Sequence, residues 1–397
     1  MTMVDTAWTL EGAIADGATF LPLDEPSWSE ALLEHVAACT ERRFEACCAR
    51  LLEVAPALCA AAGFQDSVAS IRNLPPARKR WLAMDPLLLI WLQRIAETSI
   101  GQRDLFRARL ADLRRIAERA ATAHPVPPDR VIPHTAIEVV RYDLDPLIAE
   151  HTPRMYDFSA DIRGAGRDQD GAYPLAFFVD VAAVAIERIR RTWPPAYAAL
   201  NRFVKLVMHL PDAPFKSAST ERYPGIVFVT ARDNTLLDLE ESLLHECAHH
   251  ILYKVMECDR LVFSTFGDAF KLPWSGLERD LDGYFHAFYV YVCLAAYFER
   301  VRGHSEEERR RARAKLARVL RGLLAAAAEL EALDRYTAAG RGLLTNLKRE
   351  VEGLVARHRD LLDQPGYERE PPISHEETVR RLAAEIERVR GTAGWAR

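Results

Sequence analysis

At 397 residues the chain is long enough for two or three domains of about 150 residues, with a substantial core. Apolar residues at 49% and charged residues at 27% exclude a disordered, collagen-like or disulfide-scaffold chain. With 52 lysines and arginines against 57 acids, the formal charge of -5 argues against nucleic acid or an anionic membrane as the main partner. The longest apolar run, residues 284–298, contains His286 and falls short of the roughly 18 residues that a membrane span needs. The N-terminal sequence carries acids where a secretory signal carries lysine or arginine. The 7 cysteines lack zinc-finger pairing, and those at 39, 47, 48 and 59 sit in alanine-rich helical sequence, as small buried thiols do. A cytoplasmic location is the expectation.

In chain order, residues 27–123 are predicted to be helical, with apolar positions such as Leu32, Leu33, Val36 and Ala37 recurring at three and four residues. The stretch LPPARKRW breaks that run once, and the prolines of HPVPPDRVIP end it in a linker. Residues 136–142 (AIEVVRY), 203–210 (FVKLVMHL) and 226–230 (IVFVT) read as strands, with a helix over 179–189 between the first two. A long helix follows over 234–257, with Asp233 or Asn234 as candidate N-cap. Beyond Gly303 two or three charged helices are expected, Ser305 with Glu308 and Ser374 with Glu377 each forming a capping box. The run EEERRRARAK reads as a solvated helix face. The implied fold is α+β and predominantly helical, with a small mixed sheet. It divides into a helical N-terminal region (1–125), a core carrying the sheet (126–303) and C-terminal helices (304–397).

The chemistry lies in ESLLHECAHHILYKV. His245 and His249, four apart on a helix, lie on one face and can bind one metal ion, with Glu246 beside them to hydrogen-bond a metal-bound ligand. The apolar neighbours Leu243, Leu244, Ile251 and Leu252 predict a buried helix, where polar groups need a reason to exist. The strand-then-helix order fits a zincin-like core. His250, about 100° further round the helix, is expected at the surface or behind the ligands. Leu252 stands where the metzincin extension has glycine, so the third ligand must come from elsewhere. His286, Asp282, Glu246 and Glu278 are the candidates. His286 is the best placed, inside the apolar helix DLDGYFHAFYVYVCLAAYF, where an imidazole is costly without a partner.

HECAHHIL followed by KLPWSGLERDLDGYFHAFYVYVCLAAYF resembles the HExxH-type peptide β-hydroxylases that depend on iron(II) and 2-oxoglutarate. Pro273, Trp274, Arg279, Leu281, Gly283, His286, Tyr289 and Phe298 match the family's pattern without a gap. Upstream, KSASTERYPGIVFVT resembles the segment before the family's metal helix through Ser217, Ser219, Pro224 and Gly225. The similarity covers residues 215–300. Ser275, Glu278, Asp280 and Ala287 depart from it, Ser275 replacing an arginine.

The resemblance implies an oxygenase that hydroxylates a side-chain β-carbon of a ribosomally made precursor peptide, with Fe(II) as metal and 2-oxoglutarate and O2 as cosubstrates. It makes His245, His249 and His286 the metal set and Glu246 a catalytic group. Arg279 would hold the distal carboxylate of 2-oxoglutarate, with Ser217 or Ser219 adding a hydroxyl. Aromatic residues around His286 are expected to be core, with one or two walling the site. Two other functions use the same residues. One is a zinc peptidase in which Glu246 activates a zinc-bound water; the other is a non-catalytic peptide-binding protein with a degenerate site. The N-terminal helices would recognise the precursor peptide or stabilise the core.

Overall fold

The computed structural model describes residues 8–23, 27–122, 130–141, 175–210, 216–230, 235–302, 304–363 and 375–393. Helices dominate. Short α1 (Leu10–Ala15) is followed by α2 (Ser27–Val54), α3 (Pro56–Ala61), α4 (Phe64–Arg72), α5 (Pro76–Ala83), α6 (Pro86–Glu97) and α7 (Arg103–Ala121). The single break expected in this region is several. Pro56, Pro76 and Pro86 each open a new helix, where a missing N–H costs nothing, and Gly63 takes a left-handed conformation (φ 63°) between α3 and α4. Then come β1 (Glu138–Arg141), α8 (Leu175–Thr192), α9 (Pro194–Phe203), β2 (Leu206–His209), β3 (Ser217–Ala218) and β4 (Ile226–Val229). The three expected strands and the helix between them are therefore present. The second half holds α10 (Leu236–Cys258), β5 (Phe270–Lys271), β6 (Glu278–Arg279), α11 (Leu281–Arg300), α12 (Glu306–Glu331), α13 (Ala338–Arg357) and α14 (His375–Ala393). Among the described residues no helix is long and apolar enough to cross a membrane.

The contacts group the chain into two compact units that cut across the expected linear division: 33–179 with 204–230, and 1–32 with 180–203 and 231–397. The first unit holds a four-stranded sheet of order β1-β2-β4-β3, in which β1, β2 and β4 run parallel and β3 is antiparallel to β4. All residues of β2 and β4 are buried, as the continuous apolar runs of parallel strands require. The N-terminal helices are not a separate module, for their apolar faces share one core with this sheet. Phe44, Phe64, Trp91 and Leu113 pack in the same cluster as Val140, Met208 and Phe228. At its edge Arg119 on α7 bonds Glu138 at the start of β1 at 3.1 Å.

In the second unit α11 is the central helix, and its aromatic residues, Tyr291 excepted, are buried. Residues 8–23 join this unit rather than the one that holds the helices from residue 33 on. Tyr289 donates to the Phe20 carbonyl at 2.7 Å, and Asn346 on α13 donates to Ile14 and Ala18 carbonyls. A buried ionic cluster ties α8, α10 and α12 together. Arg188 meets Glu240 at 2.6 Å and Glu308 at 2.5 Å, while His304 (2.8 Å) and the Tyr297 hydroxyl also bond Glu240. Here the solvated-face reading of EEERRRARAK fails in part. Glu308 is buried and held at about 2 because the bonds from Arg188 and Ser305 outweigh a burial that alone would raise it. The Ser305–Glu308 capping box forms as expected, whereas Ser374 lies outside the described residues.

Removing one partner from such a cluster leaves uncompensated buried charge. Glu240→Ala is expected to destabilise this unit by about 3 kcal/mol or more. Denaturant unfolding of the variant against the parent measures it; an unchanged midpoint would show the cluster to be solvated.

Candidate metal centre

The helix that carries the histidines is capped one residue after Asn234, the later of the two expected caps, both of which lie outside the described residues. Thr235 is the N-cap, its hydroxyl accepting from Asp238 N–H while the Asp238 carboxylate accepts from Thr235 N–H. Lys315 on α12 bonds Asp238 at 2.6 Å and also Glu241, fixing the first turns of α10. From there the helical repeat brings His245 and His249 to one half-buried face, with Glu246 buried beside them.

The Nε2 atoms of His245 and His249 lie 3.3 Å apart. Two metal–nitrogen bonds of about 2.1 Å at a tetrahedral angle place their nitrogens roughly 3.4 Å apart, and at a right angle about 3.0 Å. The observed separation falls between these. A carboxylate oxygen of Glu246 and the two imidazole nitrogens lie within 4.8 Å of one another. Two imidazoles and a carboxylate are donors that iron(II) and zinc both accept.

Charge agrees with this arrangement. Burial, reinforced by repulsion from His245, His286 and His250, pushes His249 well below the usual histidine value, so its ring is neutral with a lone pair to give. His286 on α11 is pushed down to about 4 by burial, against a small opposing pull from Asp280. Asp280 is an acid whose charge this ring feels. Asp280 is also the N-cap of α11, accepting from Gly283 N–H at 2.8 Å, and Asp282 sits half-buried in the first turn.

His286 addresses the far side of His249, Nδ1 to Nδ1 at 3.3 Å, and its Nε2 lies 3.0 Å from the Met256 sulfur. One set of protons satisfies the whole chain. His249 donates from Nδ1 to His286 and keeps its Nε2 lone pair, and His286 donates from Nε2 to Met256. His286 therefore stands behind the His245–His249 pair, while a Glu246 carboxylate oxygen groups with one ring nitrogen of each. His250 is not a surface residue; it is buried, its ring edge-on to Tyr253 at 6.0 Å.

Two wall residues emerge. Tyr253 stacks on His249 at 6.0 Å and meets His286 at 4.9 Å. Its position four residues after His249 on the same face was the signal for it in the sequence. Tyr291 is edge-on to His245 at 6.0 Å and is backed by Trp274, stacked on it at 4.2 Å. Trp274 fits because α12 has Gly322 beneath it: a Cβ there would lie 2.2 Å from the indole nitrogen. Tyr284, Phe285, Phe288, Tyr289, Tyr297 and Phe298 are core, as expected of most aromatics on this helix.

Glu278 and Arg279 form β6, an exposed hairpin strand facing β5, and the Arg279 guanidinium donates to the Glu278 carbonyl at 2.9 Å. Ser217 on β3 and Ser219 just after it belong to the unit that holds the sheet.

Two outcomes follow from the neutral buried rings and the packed indole. In the unfolded chain His286 takes up a proton below about 6.5, whereas the folded protein resists until about 4. Stability of the metal-free protein is therefore complete above 6.5 and falls as pH drops toward 4, by roughly 3 kcal/mol from this ring. Denaturant midpoints across that window should decline less steeply in His286→Gln. Gly322→Ala should cost about 1–3 kcal/mol in thermal unfolding and shift tryptophan fluorescence, because Trp274 must move.

Comparison with known proteins assigns no family, since no family model matches the chain and no curated protein aligns with it significantly.

Proposed function

We propose that the chain is an iron(II)- and 2-oxoglutarate-dependent oxygenase of the HExxH peptide β-hydroxylase type, with a zincin-like core and a ribosomally made precursor peptide as substrate. The observation that carries this reading is the pair of imidazole Nε2 atoms of His245 and His249 3.3 Å apart, with Glu246 beside them. It stands in the same chain as the downstream segment of residues 273–298 that resembles the family.

In this reading His245 and His249 hold the metal through Nε2, and Glu246 supplies the nearest third donor. His286 orients His249 through Nδ1, in the way that a partner on the far ring nitrogen fixes a metal-binding imidazole. Bound iron(II) would supply the dioxygen chemistry that replaces a substrate Cβ–H with Cβ–OH while 2-oxoglutarate loses carbon dioxide. Tyr253 and Tyr291 restrict water at the pair. Arg279 has its guanidinium exposed and available to a carboxylate, and it is the residue assigned to the far end of 2-oxoglutarate. Glu246 also favours a second reading, a zinc peptidase, in which the same carboxylate takes the proton of a metal-bound water.

Anaerobic addition of iron(II) and 2-oxoglutarate to metal-free protein separates the two. The oxygenase gives a visible charge-transfer band that His245→Ala abolishes and Arg279→Ala weakens about tenfold in 2-oxoglutarate affinity. Absence of the band together with tight zinc binding establishes the peptidase reading instead.

A further inference from the structure

Away from the histidines, a polar cleft of about 610 Å³ is lined by Thr192, Glu299, Arg300, Arg302 and Arg357. It lies at the far end of α11. At about 1.5 Å per residue, position 299 is roughly 20 Å along the axis from position 286.

Its charge is lopsided. Three guanidiniums face one carboxylate, and that carboxylate is already saturated. Arg357 grips Glu299 with two bonds (2.7 and 3.2 Å), His358 adds a third at 2.8 Å, and Arg300 lies 3.5 Å away. Burial would raise the Glu299 carboxyl, but these bonds outweigh it and hold it below its usual value. Glu299 thus orients cations around the cleft and leaves two positive charges in excess. Arg300 is immobilised as well, its guanidinium 4.9 Å over the Trp193 ring and donating to the Ala296 carbonyl at 2.6 Å.

Three helix C-termini meet here, those of α8, α11 and α13, and their carbonyls give arginines a reason to be nearby. That reason covers Arg300. It does not cover Arg302, which is exposed, lines the cleft, and has no polar partner for its guanidinium among the described residues.

We propose that this cleft binds the dianionic phosphate group of a small phosphate monoester, with Arg300, Arg302 and Arg357 around the phosphoryl oxygens and the Thr192 hydroxyl as a further donor. A carboxylate offers one planar face to one fork. A tetrahedral phosphoryl group offers oxygens to guanidiniums arriving from several directions, and its negative charge is opposite to the net charge of the side chains around it. The volume leaves space for the organic part of an ester. This site is independent of the metal reading.

The test is titration calorimetry of the metal-free full chain at low ionic strength, with inorganic phosphate, glycerol 3-phosphate and succinate as separate probes. Phosphate and the ester should bind, the ester at least as tightly, and Arg302→Ala should weaken both about tenfold. Arg310→Ala, an exposed cation on α12 outside the cleft, should leave binding unchanged. Failure of phosphate to bind at millimolar concentration, equal loss in the two variants, or preference for succinate would each overturn the assignment.

Discussion

A buried imidazole keeps its place only when both ring nitrogens have something to face, and His249 meets that condition from two helices at once. One nitrogen looks at His245 on its own helix, and the other at His286 on α11. The pairing demands that α10 and α11 lie side by side with little water between them. The aromatic density of α11, the Trp274 indole against Gly322 and the Tyr289 hydroxyl bonded to Phe20 belong to the packing around that helix. Burial accounts for the neutral rings, since desolvation that would be costly for a charged histidine leaves lone pairs ready for a metal.

The ionic cluster around Glu240 serves the same geometry from the other end of α10. Glu240 lies between one and two turns before His245, and its bonds to Arg188, His304 and Tyr297 fix the helix against α8 and the start of α12. Lys315 repeats the device at Asp238 and Glu241. Apolar packing alone tolerates small rotations of a helix, whereas directional charged bonds at successive turns set which face it presents. A rotation by one residue, about 100°, would carry His245 and His249 away from α11.

The cleft at the C-terminal end of α11 is built on a contrasting principle. At the histidines, burial removes charge; at Glu299, a saturated carboxylate organises surplus positive charge at the surface. One helix therefore carries a desolvated neutral centre near its start and a solvated cationic one at its end.

The HExxH spacing, the apolar run around His286 and the alternation of strand and helix are local features, so the sequence by itself determined them. Helical periodicity is enough to put His245 and His249 on one face, and a β-branched run bounded by turns is enough to mark β1, β2 and β4. Which groups lie beside which was decided by tertiary structure alone. Nothing local says that residues 8–23 pack on α11 and α13 while the next helices share a core with the sheet, because that depends on which apolar faces meet over long sequence separations. The same holds for His286, whose helix is readable but whose rotation about its axis, and hence the ring nitrogen it offers to His249, is set by side-chain packing between helices. His250 makes the point within one motif. Periodicity turns it away from the ligands, and only the packing of neighbouring helices over that second face makes it buried rather than exposed.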